Sequence, residues 1–167
     1  MADIELYLIR HGIAANRGEA FPDDTKRPLT SDGISRLRKE ARALARLGVE
    51  FDQVVTSPLV RARQTAEVFV QAASPHPPVA LSDALAPGNS AAAVIEDLGR
   101  FDRRARVALV GHEPNMGELA ARLLGTRRAV EFKKGAICRI DVAALPPTRP
   151  GRLIWFATPR MLRVMAK

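Results

Sequence analysis

Four side chains stand where a reactive site needs them. Arg10-His11-Gly12 closes the run Ile4-Glu5-Leu6-Tyr7-Leu8-Ile9, Ser57-Pro58-Leu59-Val60-Arg61 follows Asp52-Gln53-Val54-Val55-Thr56, and Gly111-His112-Glu113-Pro114 follows Val107-Ala108-Leu109-Val110. Each preceding run is short, largely apolar and partly β-branched, as in a strand buried within a sheet. Ligands of open α/β sheets bind beyond the carboxyl ends of the strands, so these three segments are expected to meet at one rim. A guanidinium offers a planar fork of donors that stays charged at every physiological pH, and a helix N-terminus adds backbone N–H groups; both suit a phosphate. Binding phosphate does not require imidazole, but an imidazole can attack phosphorus and divide a hard displacement into two easier ones. With Cys138 as the only cysteine and no histidine pair at local zinc spacing, an anion site is expected, with no metal and no cofactor.

The elements that must carry these residues alternate along the chain. Residues 13–28 hold Gly18, Pro22 and Pro28 without a sustained period and read as a loop. Thr30 is placed to cap a helix whose apolar positions are Ile34, Leu37, Ala41, Leu44 and Leu47, with Gly48 as its stop; Arg36, Arg38, Lys39, Arg42 and Arg46 make a basic face read as solvated surface. Ser57 followed by Pro58 is the expected start of a second helix, buried along Leu59, Ala62, Ala66, Phe69 and Ala73. Val79-Ala80-Leu81 is a brief strand, Ser90 caps a short helix to about Leu98, and Met116, Leu119, Ala120 and Leu123 trace another helix that Gly125 ends. Strands at Ile137–Val142 and Leu153–Ala157 complete the tail, while Trp155 and the methionines are expected to pack inside. Strand and helix alternating through short joints imply an α/β fold: a single domain over residues 1–167, three layers, a mainly parallel sheet with helices on both faces.

Arg10-His11-Gly12, then Ser57-Pro58-x-x-Arg61-Ala62-x-Gln64-Thr65, then Gly111-His112-Glu113-Pro114 together resemble the histidine phosphatase superfamily, whose fold is called phosphoglycerate mutase-like. Arg27-Pro28-Leu29-Thr30 followed by Gly33, with the small size, narrows the resemblance to the SixA-like phosphohistidine phosphatases. It runs from Leu6 to about Lys167. The resemblance implies that His11 is the nucleophile, that Arg10, Arg61 and His112 hold the non-bridging oxygens, and that Arg27 is an auxiliary phosphate contact. Many relatives place a general acid just before the Leu-x-Pro that is here Leu85-Ala86-Pro87; this chain has Ala84 there, leaving Asp83 and Glu113 as candidate acids. Asp83 is read otherwise as a turn residue and Glu113 as a helix cap. An alkoxide leaving group needs a proton more than the imidazole of a phosphohistidine does, so a missing acid favours N–P over O–P substrates. Larger relatives carry insertions that roof the pocket; residues 87–106 leave room for one short helix, so the site is expected to be open to a phosphorylated side chain on another protein, such as a histidine phosphotransfer domain.

The 167 residues suit one domain, and 47% apolar with 26% charged content suits a globular protein with a real core. No stretch approaches a membrane span, and the opening residues lack a basic leader, from which a cytoplasmic location is expected. The formal charge of +8 is uneven: residues 1–99 hold 11 Lys/Arg against 13 Asp/Glu, residues 100–167 hold 15 against 5. Such a field could dock an acidic partner. Aromatic residues make up 5% and none punctuate the basic groups, so nucleic acid is not the expected partner. Two other readings stay open: a small-molecule phosphomonoesterase of the same superfamily, and a non-catalytic basic module that binds phosphoprotein or nucleic acid. Oligomeric state is not legible.

Overall fold

Alternation of strands and helices produces one six-stranded sheet with helices on both sides. The computed structural model describes residues 3–167. In chain order the elements are β1 (Ile4–Arg10), α1 (Ser31–Arg46), β2 (Gln53–Thr56), α2 (Val60–Ala72), β3 (Val79–Leu81), α3 (Ala91–Asp97), β4 (Arg106–Gly111), α4 (Asn115–Leu124), β5 (Ile137–Val142), β6 (Arg152–Ala157) and α5 (Pro159–Met165). Short 3-10 turns lie at Asp24–Lys26, Asp83–Leu85 and Leu98–Phe101. The sheet order is β3-β2-β4-β1-β5-β6; the first four strands are mutually parallel, β5 alone runs the opposite way, and β6, antiparallel to β5, returns to their direction.

The strand period of two divides the core. Leu6 and Leu8 of β1 with Val107 and Leu109 of β4 point to one face, where Val94 of α3 and Met116, Leu119 and Leu123 of α4 cover them. Tyr7, Ile9, Ala108 and Val110 point to the other, beneath Leu37 and Leu44 of α1, Ala62, Ala66 and Phe69 of α2, and Leu162 of α5. Strands buried on both faces need apolar residues at every position, which is why β1 and β4 read as runs rather than alternations. Cys138 is buried in this core. Among the described residues no helix is long and apolar enough to cross a membrane.

Several expectations need correction. Ser57 does not cap α2: Leu59 is the extended residue before the helix, and the Ser57 hydroxyl instead accepts the Leu59 N–H and meets a histidine. Leu47 is exposed, because α1 ends at Arg46 and Gly48 turns the chain away in the left-handed region. Helix α5 gave no periodic signal, since Leu162 is its only buried residue, and Met161 and Met165 on it are exposed rather than packed. Between Pro87 and Arg106 lies the one short helix expected there: residues 91–101 form α3 plus a 3-10 turn that buries Val94, Leu98 and Phe101 against the sheet face.

Candidate active site

Sheet register brings the three motif-bearing ends together. Arg10 of β1 pairs with Gly111 of β4, so the next residues, His11 and His112, emerge side by side. The His11 N–H donates to Gly111 O at 3.0 Å, and on the other side of β4 the Ser57 N–H donates to Val110 O at 3.0 Å. The two imidazole rings stand 5.1 Å apart, centroid to centroid. His11, Arg61 and His112 are buried, at 5%, 3% and 2% exposure.

His11 is fixed by its own neighbour. Its Nδ1 lies 2.7 Å from Gly12 O, and a carbonyl only accepts, so Nδ1 carries the proton and the Nε2 lone pair faces away from that contact. Gly12 in turn donates its N–H to Thr65 Oγ1 at 3.1 Å, and Thr65 donates to Arg61 O at 2.7 Å, which ties the His11 loop to the first turns of α2. The glycine lets Leu37 pack close: a Cβ at Gly12 would lie 2.6 Å from Leu37 Cδ1, so that side chain would have to move. Burial, the largest cause, and then the Arg61, Arg10 and Lys134 charges push the His11 pKa down to about 4 against the hydrogen bond to Gly12, which raises it. His112, held by Nε2 at 2.7 Å from Ser57 Oγ, is pushed down to about 3 by burial and by its neighbours His11 and Arg61. Both rings are therefore neutral at physiological pH.

The cations around these rings are held at one end and unpartnered at the other. Arg10 donates through Nη1 to Phe132 O at 2.7 Å, and Arg61 donates through Nη1 to Asp24 O at 2.8 Å and through Nη2 to Asp24 Oδ2 at 3.1 Å. The buried Nε atoms of Arg10 and Arg61 and Nδ1 of His112 have no hydrogen-bond partner. Buried polar groups are nearly always paired, so two unpaired guanidinium N–H donors and one open imidazole nitrogen around one pair of rings describe a receptor for an acceptor-rich group. Arg27 reaches the same cluster: its Nε donates to Asp24 Oδ1 at 2.8 Å and its Nη1 to Ala15 O at 2.6 Å. Sequence reasoning missed Asp24, the carboxylate that joins Arg27, Arg61 and Arg17. The available signal was its position three residues before Arg27, and it was lost among the charges of an aperiodic loop.

The two candidate acids lie differently from the bases. Glu113 accepts the Gly117 N–H at 2.7 Å and the Phe132 N–H at 3.2 Å, one on each carboxylate oxygen, so it caps α4 and anchors the 132 turn. Asp83 is exposed in its 3-10 turn, and its side chain takes part in none of the hydrogen bonds of the site. Ala84 packs against the core. Among the described residues no group of three or more His, Cys, Asp or Glu side chains is placed to hold a metal ion.

A sheet with this order and a rim of two histidines and two arginines defines a class, and comparison with known proteins agrees. The family model of the histidine phosphatase superfamily, branch 1, matches residues 6–87. An uncharacterized protein of Picosynechococcus is 38% identical over 166 residues, covering 95% of this chain and 99% of that protein. The chain belongs to the histidine phosphatase superfamily, with the phosphoglycerate mutase-like fold. Its likeness extends to the phosphohistidine phosphatase SixA of Escherichia coli, 28% identical over 98% of this chain and 99% of SixA. The structure of the protein histidine phosphatase SixA complexed with tungstate superposes with a TM-score of 0.84 at 26% identity, covering 94% of this chain and 98% of that one. An alpha-ribazole phosphatase of Shigella flexneri shares the fold at a TM-score of 0.71 and 19% identity, covering 93% of this chain and 97% of that one. The fold therefore does not choose the substrate.

Proposed function

We propose that this phosphatase removes the phosphoryl group from phosphohistidine on another protein, through a phosphorylated His11. The observation that carries the reading is the neutral His11 ring, its Nδ1–H fixed on Gly12 O, set beside the unpartnered buried Nε–H groups of Arg10 and Arg61. The Nε2 lone pair forms a bond to phosphorus while the N–P bond of the substrate breaks and the departing imidazole takes a proton. Water then attacks phosphorus, the His11–phosphorus bond breaks, inorganic phosphate leaves, and a proton from the water is released. With the Ser57 hydroxyl donating to His112 Nε2, which leaves the proton on Nδ1, Arg10 and Arg61 through Nε and His112 through Nδ1 stabilise charge on the equatorial oxygens throughout, which is the main source of rate in phosphoryl transfer. Arg27 acts one step removed, through Asp24.

An N–P substrate suits the carboxyl groups at hand. Glu113 is committed to two backbone amides, and Asp24 is held as a carboxylate by Arg27 and Arg61, its pKa lowered by those partners against the opposing effect of burial. An imidazole leaves without the strong acid that an alkoxide demands. Incubating the protein with a phosphorylated histidine phosphotransfer domain should release phosphate in the presence of EDTA, and rapid acid-free quenching should trap acid-labile phosphate on His11. His11→Ala should abolish both. Hydrolysis of sugar phosphates with a kcat/KM equal to that for phosphohistidine would replace this reading with that of a small-molecule phosphomonoesterase.

A further inference from the structure

A basic groove leaves the catalytic rim and runs along the seam between α1 and α5. It begins as a cleft of about 560 Å³ that shares Arg10 and Gly12 with the site and is walled by Arg36, Lys133, Lys134, Arg160 and Arg163. It continues as a second hollow of about 340 Å³, sharing Arg160 and Arg163 and adding Lys39, Arg42 and Lys167. The charges fall into two facing stripes: on α1, Arg36, Lys39 and Arg42 are three residues apart, and on α5, Arg160 and Arg163 repeat the step. Lys39, Arg42, Lys133, Lys134 and Arg160 are exposed and make no ion pair among the described residues. Helical basic faces are ordinarily solvated, but two aligned on one groove that ends at a phosphate-binding rim are not ordinary.

The floor of the groove adds a feature of another kind. Glu40 is 1% exposed, one carboxyl oxygen lies 3.7 Å from Arg163 Nη1, and Oε2 has no partner. Gly135 and Arg163 cover that carboxyl, so a ligand in the groove meets the exposed cations above it and not Glu40 itself. No Phe, Tyr or Trp lines either hollow to stack a base.

We propose that the α1–α5 groove docks an acidic segment of the partner protein that presents the phosphoryl group to His11, with its carboxylates on the two basic stripes. This rests on the reading of the protein as a protein phosphatase. Complementary charge of this kind governs encounter and partner choice more than chemistry.

The experiment separates docking from reaction. Binding of a fluorescein-labelled peptide of Glu and Asp is followed by anisotropy at low salt, for the wild type, for Lys39→Glu/Arg160→Glu, and for a charge-matched control, Arg103→Glu/Arg104→Glu, in the turn before β4. The groove variant should bind about tenfold more weakly, and its ratio of kcat/KM for a phosphorylated histidine phosphotransfer domain to that for free phosphohistidine should fall about tenfold, while the control leaves both near the wild type. Lys39→Gln/Arg160→Gln should give a smaller shift in the same direction. Absence of peptide binding, equal weakening by the control, or displacement of the peptide by a duplex oligonucleotide of higher affinity would overturn the proposal. Peptide binding should survive His11→Ala, so groove-dependent binding in a wild type that releases no phosphate would condemn the proposed reaction and spare the groove.

Discussion

Arg61 has two jobs for one guanidinium, and Asp24 divides them. By taking both Nη atoms, through its carboxylate and its own carbonyl, Asp24 leaves Nε as the free donor on the buried side. Asp24→Asn keeps the shape but removes the charge that also holds Arg27. A hydrogen bond to a charged group is worth about 1.5–3 kcal/mol, so kcat/KM should drop roughly 10- to 100-fold, with weaker inhibition by inorganic phosphate. Tighter phosphate inhibition in the variant would instead make Asp24 a competitor for the site. The histidine pair makes a second prediction. With pKa values of about 4 and 3, both rings should keep neutral-imidazole C–H shifts from about pH 8 down to about pH 5 in an NMR titration. A midpoint near 6.5, the ordinary value, would show that solvent reaches them. In sequence the convergence of the four candidate residues was legible because each follows a strand signal; the tautomer of His11 was not, because it depends on where the carbonyl of Gly12 points.

The loop between β1 and α1 is pinned by helix-start chemistry. Thr30 accepts the Gly33 N–H at 2.9 Å and donates its own N–H to Ile13 O at 2.9 Å, so the cap also fixes the segment that follows His11. A Cβ at Gly33 would sit 2.3 Å from Ile13 O, and that backbone atom has no freedom to retreat without moving the His11 loop. Gly33→Ala should therefore cost roughly 1–3 kcal/mol in urea unfolding and reduce activity beyond what the stability loss explains. A variant with wild-type stability would mean the loop yields freely. Thr30, Gly48, Ser90 and Gly125 were readable as helix ends because capping is a local preference. Ser57 misled because a serine before proline can serve a distant histidine as readily as a helix, and α5 escaped because a terminal helix with one buried residue leaves no stripe.

At the scale of the whole molecule, contacts between remote parts of the chain decide what sequence alone left open, and Glu40 is the sharpest case. It sits between basic positions of α1, yet Gly135 and Arg163 close over it, and burial, opposed by the Arg163 and Arg36 charges, raises its pKa to about 8. A carboxyl with a raised folded pKa lends stability that is complete below its unfolded value of 4.5 and is lost as pH rises through about 8. The two histidines act with the opposite sign: their depressed pKa values lend stability that is present above 6.5 and is lost as pH falls toward about 4. Between 4.5 and 6.5 the unfolded chain binds two extra protons at the histidines and one fewer at Glu40, so these groups make stability climb with pH; above 6.5 Glu40 outweighs the histidines, and stability declines. Their combined effect is a maximum near pH 6.5. Glu40→Gln keeps the shape and removes the ionisation, so from about pH 6.5 to about pH 9 its unfolding free energy should rise by roughly 1 kcal/mol, as the histidines of the unfolded chain finish titrating, while the wild type loses roughly 1 kcal/mol, a difference of about 2 kcal/mol. Urea unfolding of both proteins across that range measures the difference, and parallel curves would mean that Arg163 keeps Glu40 ionised in the fold.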